Sequence, residues 1–367
     1  MQANDRASIE TWIAAALMER RPAWPCAPGE GVEAVVDLSN AEGVACLLHA
    51  RLHASAMAVP DALRDRLDAL VRAKAAQSLY QQAQCRAILA RLDAAGIPAL
   101  LLKGLALGCW CYAAPHLREC GDIDLLLSSR EDAQRAVELL APLGYAPPEV
   151  IMPGDMVRFE TPCVRPADRG ALDIDLHWRL SNAPLFAFRF AWEDLRAASM
   201  PIPALGSGAR GLSAPLAMLH ACMHRVKHLA EREDRMKWLF DYVVLARRFG
   251  DGDWCALRDL AISRGLAGVC VACLHAAEAR FGGFVPVAVM DQLAGAARGE
   301  SLQVERVTSH WYFQCMNWRA FPTARMRWRW LRQQLVPDAA YLRKRYGTSV
   351  PGALWRRAWA GVRRLRG

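Results

Sequence analysis

Apolar residues recur three and four apart from Ser8 to about Asp93, as at Leu63, Leu67, Leu70 and Val71 and again at Ile88, Leu89 and Leu92, which predicts helices with one buried stripe. Gly96-Ile97-Pro98 breaks that period and starts a strand. Short apolar runs then alternate with amphipathic stretches, predicting strand 97–102, helix 105–113, strand 122–128, helix 130–142 and strands near 156–164 and 171–178. The Pro- and Gly-rich stretch from Ser199-Met200-Pro201-Ile202-Pro203 through Gly211 predicts a connecting loop. Helical periodicity resumes beyond it, with Ser213 as a candidate cap and Pro215 in the first turn of a helix carrying Leu216, Leu219, Cys222 and Met223. This order predicts an α+β chain whose mixed sheet carries helices on one face. Four regions are expected: an N-terminal helical region 1–95, a sheet-bearing core 96–198, a helical region 199–300 that completes a cleft, and a helical tail 301–367.

Two of the predicted strands carry acids at alternate positions, Asp122-Ile123-Asp124-Leu125-Leu126-Leu127 and Asp173-Ile174-Asp175-Leu176-His177-Trp178. Alternate side chains of a strand share a face, so Asp122 lies beside Asp124, and Asp173, Asp175 and His177 line up likewise, with the apolar residues opposite. Any half-exposed strand looks similar, but like charges gathered on a partly buried face call for a cation, and a divalent metal is a common remedy. Just upstream, Ala99-Leu100-Leu101-Leu102-Lys103-Gly104 reads as strand and turn, followed by the helix-compatible Leu105 to Tyr112. A helix N-terminus reached through glycine offers free N–H groups to a phosphate, and Lys103 adds a full positive charge. Phosphate seat and acidic strand together suggest nucleotide plus metal.

Lys103-Gly104, Arg118, Asp122-Ile123-Asp124, Asp175-Leu176-His177-Trp178 and a later helix with Trp238 and Asp241 together resemble the bacterial family labelled uncharacterised nucleotidyltransferase, a branch of the polymerase-beta-like superfamily. The resemblance runs from roughly Val35 to Asp241 and implies a polymerase-beta-like nucleotidyltransferase core flanked by helical regions. It implies transfer of a nucleoside monophosphate from a nucleoside triphosphate to an acceptor: a small molecule, a natural-product peptide or a protein. Magnesium or manganese would be the cofactor, with two ions about 4 Å apart held by Asp122, Asp124 and a third acid. Asp173 and Asp175 compete for that place; the family pattern sets its acid immediately before Leu-His-Trp, which selects Asp175 and leaves Asp173 at the rim. Lys103, Gly104 and Arg118 are implied contacts of the triphosphate, where the wider superfamily usually carries Gly-Ser; a local ion pair is the simpler role for Arg118. His177 would orient substrate or a carboxylate, and Trp178 should face the core. His220, His224 and His228 lie one turn apart on the later helix, with His224 the candidate for the substrate site, while Asp241 is either a packing partner or a site residue.

Composition narrows the alternatives. The 367 residues are 53% hydrophobic and 23% charged, which indicates a folded chain with an ample core. Met1 to Arg6 show no basic segment followed by an apolar one, and no window of about twenty uncharged apolar residues occurs, so neither signal peptide nor spanning helix is expected and a cytoplasmic location is. The 12 cysteines are scattered, with Cys222, Cys255 and Cys315 in apolar helical surroundings, and Cys270-Val271-Ala272-Cys273 has no second pair at zinc-ribbon spacing. The net charge of +9 is concentrated in residues 301–367, which hold 14 Lys/Arg against 2 Asp/Glu and six tryptophans: Trp311, Trp318, Trp328, Trp330, Trp355 and Trp359. The simpler reading is an amphipathic tail with its tryptophans in the core and its arginines solvated. The alternative function is a nonenzymatic nucleotide-sensing protein, or an RNA- or peptide-binding one that uses this tail.

Overall fold

The computed structural model describes residues 3–346 apart from 28–29, 56, 149–155, 157, 167–170 and 338, together with 352. Trp355 and Trp359 lie outside the described residues, as does part of the strand expected near 156–164. The N-terminal helical pattern folds as α1 (Ala3–Leu17), α2 (Val32–Ala41), α3 (Ala45–Ala54) and the long α4 (Asp61–Ala94). Gly96 then takes φ +68, a left-handed conformation open to glycine at little cost, and turns the chain into β1 (Ala99–Leu102). α5 (Lys103–Trp110) follows at once, and a 3-10 turn at Pro115–Leu117 leads to β2 (Asp122–Leu127). The Ser129 hydroxyl accepts a hydrogen bond from the Asp132 amide at 3.1 Å and so caps α6 (Arg130–Leu140). Next come β3 (Glu160–Arg165), β4 (Leu172–His177) and the short α7 (Pro184–Ala187) and α8 (Trp192–Ala197).

The stretch expected as a connecting loop is instead a hairpin, β5 (Ser199–Pro201) and β6 (Arg210–Leu212), closed through a 3-10 turn at Pro203–Leu205. Its prolines and glycines sit at strand ends and in the turn, and the strands are too short to show alternation. β6 pairs with β1 through Leu101 and Gly211, which extends the sheet to six strands in the order β3-β4-β2-β1-β6-β5. β2 runs parallel to β4 and antiparallel to β1, so the sheet is mixed. The remainder is helical: α9 (Ala214–Ala230), α10 (Met236–Ala246), α11 (Asp251–Ser263), α12 (Ala267–Phe281), α13 (Val287–Ala297), α14 (His310–Ala320), α15 (Ala324–Leu335) and α16 (Ala339–Tyr346). Ser213 occupies the N-cap position of α9, but its side chain makes no capping bond. Among the described residues no helix is long and apolar enough to cross a membrane.

Helices cover both faces of the sheet, where one covered face was expected. Leu101, Ile123, Leu125, Ile174 and Leu176 pack with Cys85, Ile88 and Leu92 of α4 and Ala133, Ala136 and Leu140 of α6. On the opposite face Leu100, Leu102 and Leu126 join the large helical core through Leu216, Leu219 and Met223 of α9. Each fully buried leucine contributes roughly 2 kcal/mol of apolar transfer. The acids of β2 share that second face with Leu126, so the polar site opens where the sheet meets α9.

The tail differs from its expected form. Trp330 is buried with Phe321, Met156 and Phe159, and Asn317 and Gln333 accept hydrogen bonds from the amides of Leu185 and Met156. Trp311 and Trp328 are exposed, and Trp318 lies under the Arg327 guanidinium, 5.7 Å from its ring centroid. α14 and α15 therefore dock by one narrow face, which buries one tryptophan and leaves others in solvent. Cys255 and Cys315 are likewise exposed rather than in apolar surroundings, because they fall on the outer faces of α11 and α14.

Two interactions tie the segment before β2 to the helices. Arg118 donates from Nε and Nη2 to the carboxylate of Asp241 on α10, at 2.6 and 2.8 Å, and the Tyr112 hydroxyl donates to the same group at 2.7 Å. Burial opposes the guanidinium charge, but Asp241 outweighs it and holds the Arg118 pKa above its ordinary value. Glu119 accepts a hydrogen bond from the Cys46 amide at the start of α3 and pairs with Lys74 of α4 at 2.5 Å. Asp241→Ala would strand the buried Arg118 charge and is expected to lower the unfolding free energy by roughly 3–5 kcal/mol. Urea titration followed by circular dichroism measures the loss; a change below about 1 kcal/mol would contradict a buried, mutually dependent pair.

Candidate active site

The parallel pairing of β2 with β4 sets Asp122 opposite Asp173, Asp124 opposite Asp175, and Leu126 opposite His177. Asp124, Asp175 and His177 converge, each offering one ligand atom within 4.8 Å of the others. Asp122 lies two residues before Asp124 on the same face of β2, half-buried, and is not among these converging ligand atoms. Asp124 is 4% exposed, and its Oδ1 accepts from the Lys103 ammonium at 2.7 Å and lies 2.9 Å from His177 Nε2. The other imidazole nitrogen, Nδ1, lies 3.2 Å from Glu160 Oε2 without hydrogen-bond alignment. Glu160, on edge strand β3 opposite His177, is itself held by Arg158 at 2.6 Å.

Lys103 reaches Asp124 because its backbone turns sharply. It takes φ +49, a left-handed conformation that costs an L-residue roughly 1–2 kcal/mol, at the point where β1 ends and α5 begins. Gly104 follows, and a Cβ there would lie 2.5 Å from that of Cys120. Only glycine lets the first turn of α5 pass this close to the segment that leads into β2.

Charge is crowded and incompletely balanced. For Asp124, desolvation raises the pKa, but Lys103 and His177 together prevail and hold the carboxyl well below its ordinary range. For Lys103, desolvation opposes the charge, yet Asp124, Asp122 and Glu160 keep the ammonium pKa above its usual value. Asp122 is pushed up by Asp124 and then by desolvation. Asp175 is pushed up to about 6, by desolvation first and then by Glu160, Asp124 and Asp122. One ammonium thus satisfies Asp124 and leaves Asp122 and Asp175 wanting a positive charge. Clustered oxygen donors with unspent negative charge fit a hard divalent ion such as magnesium or manganese.

The other candidates fall around this cluster. Arg118 is committed to Asp241, yet both line the cavity that also touches Lys103, Trp110, His220 and His224. His220 Nε2 lies 3.1 Å from the Leu180 carbonyl, and burial, with Lys103 nearby, pulls its pKa down to about 3. Burial and then Lys103 hold His224 well below its ordinary value, so both rings face the cavity as neutral hydrogen-bonding groups. His224 and His228 pack on Trp238 at 5.2 and 4.8 Å between ring centroids rather than converging with His220 as ligands. Asp173 is exposed, and Trp178 is half-buried against the sheet with the Arg130 guanidinium 5.7 Å from its ring centroid. Glu160 is the residue sequence reasoning missed; the alternation Arg158-Phe159-Glu160 within an expected strand was its available signal.

Residues 28–282 match a family described as uncharacterised nucleotidyltransferase. A search of curated proteins found no match, and a search of solved structures found none either.

Because Asp175 binds its proton more tightly in the folded chain than in the unfolded one, its ionisation erodes stability as pH rises from about 4 to about 6, and the penalty is complete above that. In protein stripped of divalent ions, Asp175→Asn is therefore expected to raise stability at pH 7.5, on the order of 1–2 kcal/mol given its partial exposure, with the gain vanishing below about pH 4. Denaturant melts across that pH range test this; a destabilised variant at pH 7.5 would overturn the assignment of Asp175 as a strained carboxylate.

Proposed function

This chain belongs to the uncharacterised nucleotidyltransferase family, and from that premise we propose that it is a metal-dependent enzyme that moves a nucleoside monophosphate from a nucleoside triphosphate to a hydroxyl of an acceptor. The acceptor is a small molecule, a natural-product peptide or a protein, and the sheet is a polymerase-beta-like nucleotidyltransferase core. The observation that carries this reading is the register of β2 against β4, which stacks Asp124 beside Asp175 with Asp122 on the same face.

In the transfer, an acceptor oxygen bonds to the α-phosphorus, the bond from that phosphorus to the bridging oxygen breaks, and pyrophosphate leaves. Such chemistry asks the protein chiefly for positioning and charge neutralisation. Asp122, Asp124 and Asp175 would hold the magnesium or manganese, which would supply neutralisation of polyphosphate charge and a more acidic acceptor hydroxyl. Asp175 would accept the proton that the acceptor hydroxyl gives up. Lys103, Gly104 and the free amides at the start of α5 would seat the triphosphate, Lys103 adding a positive charge beside Asp124. His177 orients Asp124. Arg118 contributes by fixing the cavity wall through Asp241, and neutral His224 offers a hydrogen bond to substrate from across that cavity.

The test incubates the protein with magnesium or manganese, a cell extract and nucleotides labelled at either the α- or the γ-phosphate. Label at the α-position is expected to pass to an acceptor and label at the γ-position to appear in pyrophosphate. Asp122→Ala combined with Asp124→Ala is expected to reduce both by roughly a hundredfold or more. Equal labelling by that folded double variant would sink the mechanism, and transfer of the γ-label instead would make the protein a kinase.

A further inference from the structure

A second convergence of metal-ligating side chains lies away from the carboxylates, on the N-terminal helices. His49 and His53 stand one turn apart on α3 with ring centroids 4.3 Å apart, and Asp68 reaches them from α4. The Nε2 atoms of both rings lie against the same oxygen, Asp68 Oδ1, at 2.5 and 3.2 Å. One ligand atom from each residue falls within 4.8 Å of the other two.

We propose that His49, His53 and Asp68 form a binding site for a divalent transition-metal ion of the zinc class, with a fourth position open to water. Three features carry it. The donors fit: two imidazoles and one carboxylate are a common zinc set, whereas magnesium and calcium prefer oxygen throughout. The spacing fits, because tetrahedral ligands on zinc stand about 3.4 Å apart and the His53 contact is close to that already. His49 needs to withdraw by somewhat under about 1 Å, a small side-chain rotation at the end of a flexible torsion. The charge fits as well: the ion-pair partners of Asp68 among the described residues are these two imidazoles, so with both rings neutral the set carries one negative charge for a dication to meet.

The site is accessible from solvent, with the His53 side chain 51% exposed, so an ion needs no opening of the fold to reach it. Binding would join α3 to α4. α3 is held at its other end by Glu119, so the ion would secure the corner that supports the segment leading into β2. This role is independent of nucleotide chemistry.

The experiment uses the full chain, stripped with a chelator and titrated with zinc in the presence of excess magnesium, with cobalt absorption as a spectroscopic readout. One equivalent of zinc is expected to bind and to raise the melting temperature, and cobalt is expected to give the intense visible bands of a tetrahedral site. His53→Ala and Asp68→Asn should each weaken binding by at least about tenfold and abolish the melting shift. His53 is largely exposed, so its variant tests the site even if His49→Ala fails to fold. Asp124→Asn combined with Asp175→Asn should leave this zinc in place. Zinc binding that survives His53→Ala and Asp68→Asn undiminished, or that disappears with the Asp124 and Asp175 variants, overturns the proposal; absence of stoichiometric binding reduces the cluster to a hydrogen-bonded helix contact.

Discussion

Side-by-side parallel pairing of β2 and β4 is the constraint from which the rest of the site follows. Strand geometry allows no choice about it: once Ile123 and Ile174 are buried in the same apolar layer, Asp124 and Asp175 must emerge together on the other face. The hydrophobic effect therefore supplies the force that holds two carboxylates beside each other against their repulsion. Sliding β4 by one residue would relieve the acids, but it would turn Ile174 and Leu176 out of the core. Lys103, carried in by the strained turn that opens α5, and His177 make this crowding tolerable, while Glu160 adds to it.

Those arrangements do so unequally. Lys103 and His177 both serve Asp124, the deepest carboxylate, where an unneutralised charge would be most costly. Asp122 and Asp175, nearer the mouth, keep raised proton affinities and reachable oxygens. Depth thus separates an acid fixed by the protein from two that remain available to a cation. The opposite wall is built differently, with His220 and His224 neutral and Arg118 locked to Asp241, so it presents hydrogen-bonding groups and immobilised charge rather than a second acidic surface.

How much of this was legible in the chain depended on how local the cause was. Period-two alternation over Asp122 to Leu127 and Asp173 to Trp178 fixes which side chains share a face, and the observed strands at Asp122–Leu127 and Leu172–His177 follow it closely. The glycine break at Gly96 was likewise written in a few adjacent residues, whereas the serine expected to cap α9, Ser213, holds the position without the bond. Arg118 and Asp241 are more than a hundred positions apart, and no local pattern says that they meet. The β5–β6 hairpin was hidden for another reason: three-residue strands bounded by prolines carry the same composition as a loop, and only pairing with β1 reveals them. The fate of the tail tryptophans is not local either: burial depends on what a helix docks against, and of the described ones only Trp330 meets the cluster around Phe321.

Glu119 bears on how the N-terminal helices relate to the sheet. Its carboxylate holds the start of α3 with one oxygen and Lys74 of α4 with the other, three residues before Asp122. The leading edge of the acidic strand is thus moored to elements that precede the sheet in the chain. A fragment beginning at β1 would keep every acid and lose the mooring, so the helices ahead of the sheet belong to the working unit as much as the strands do.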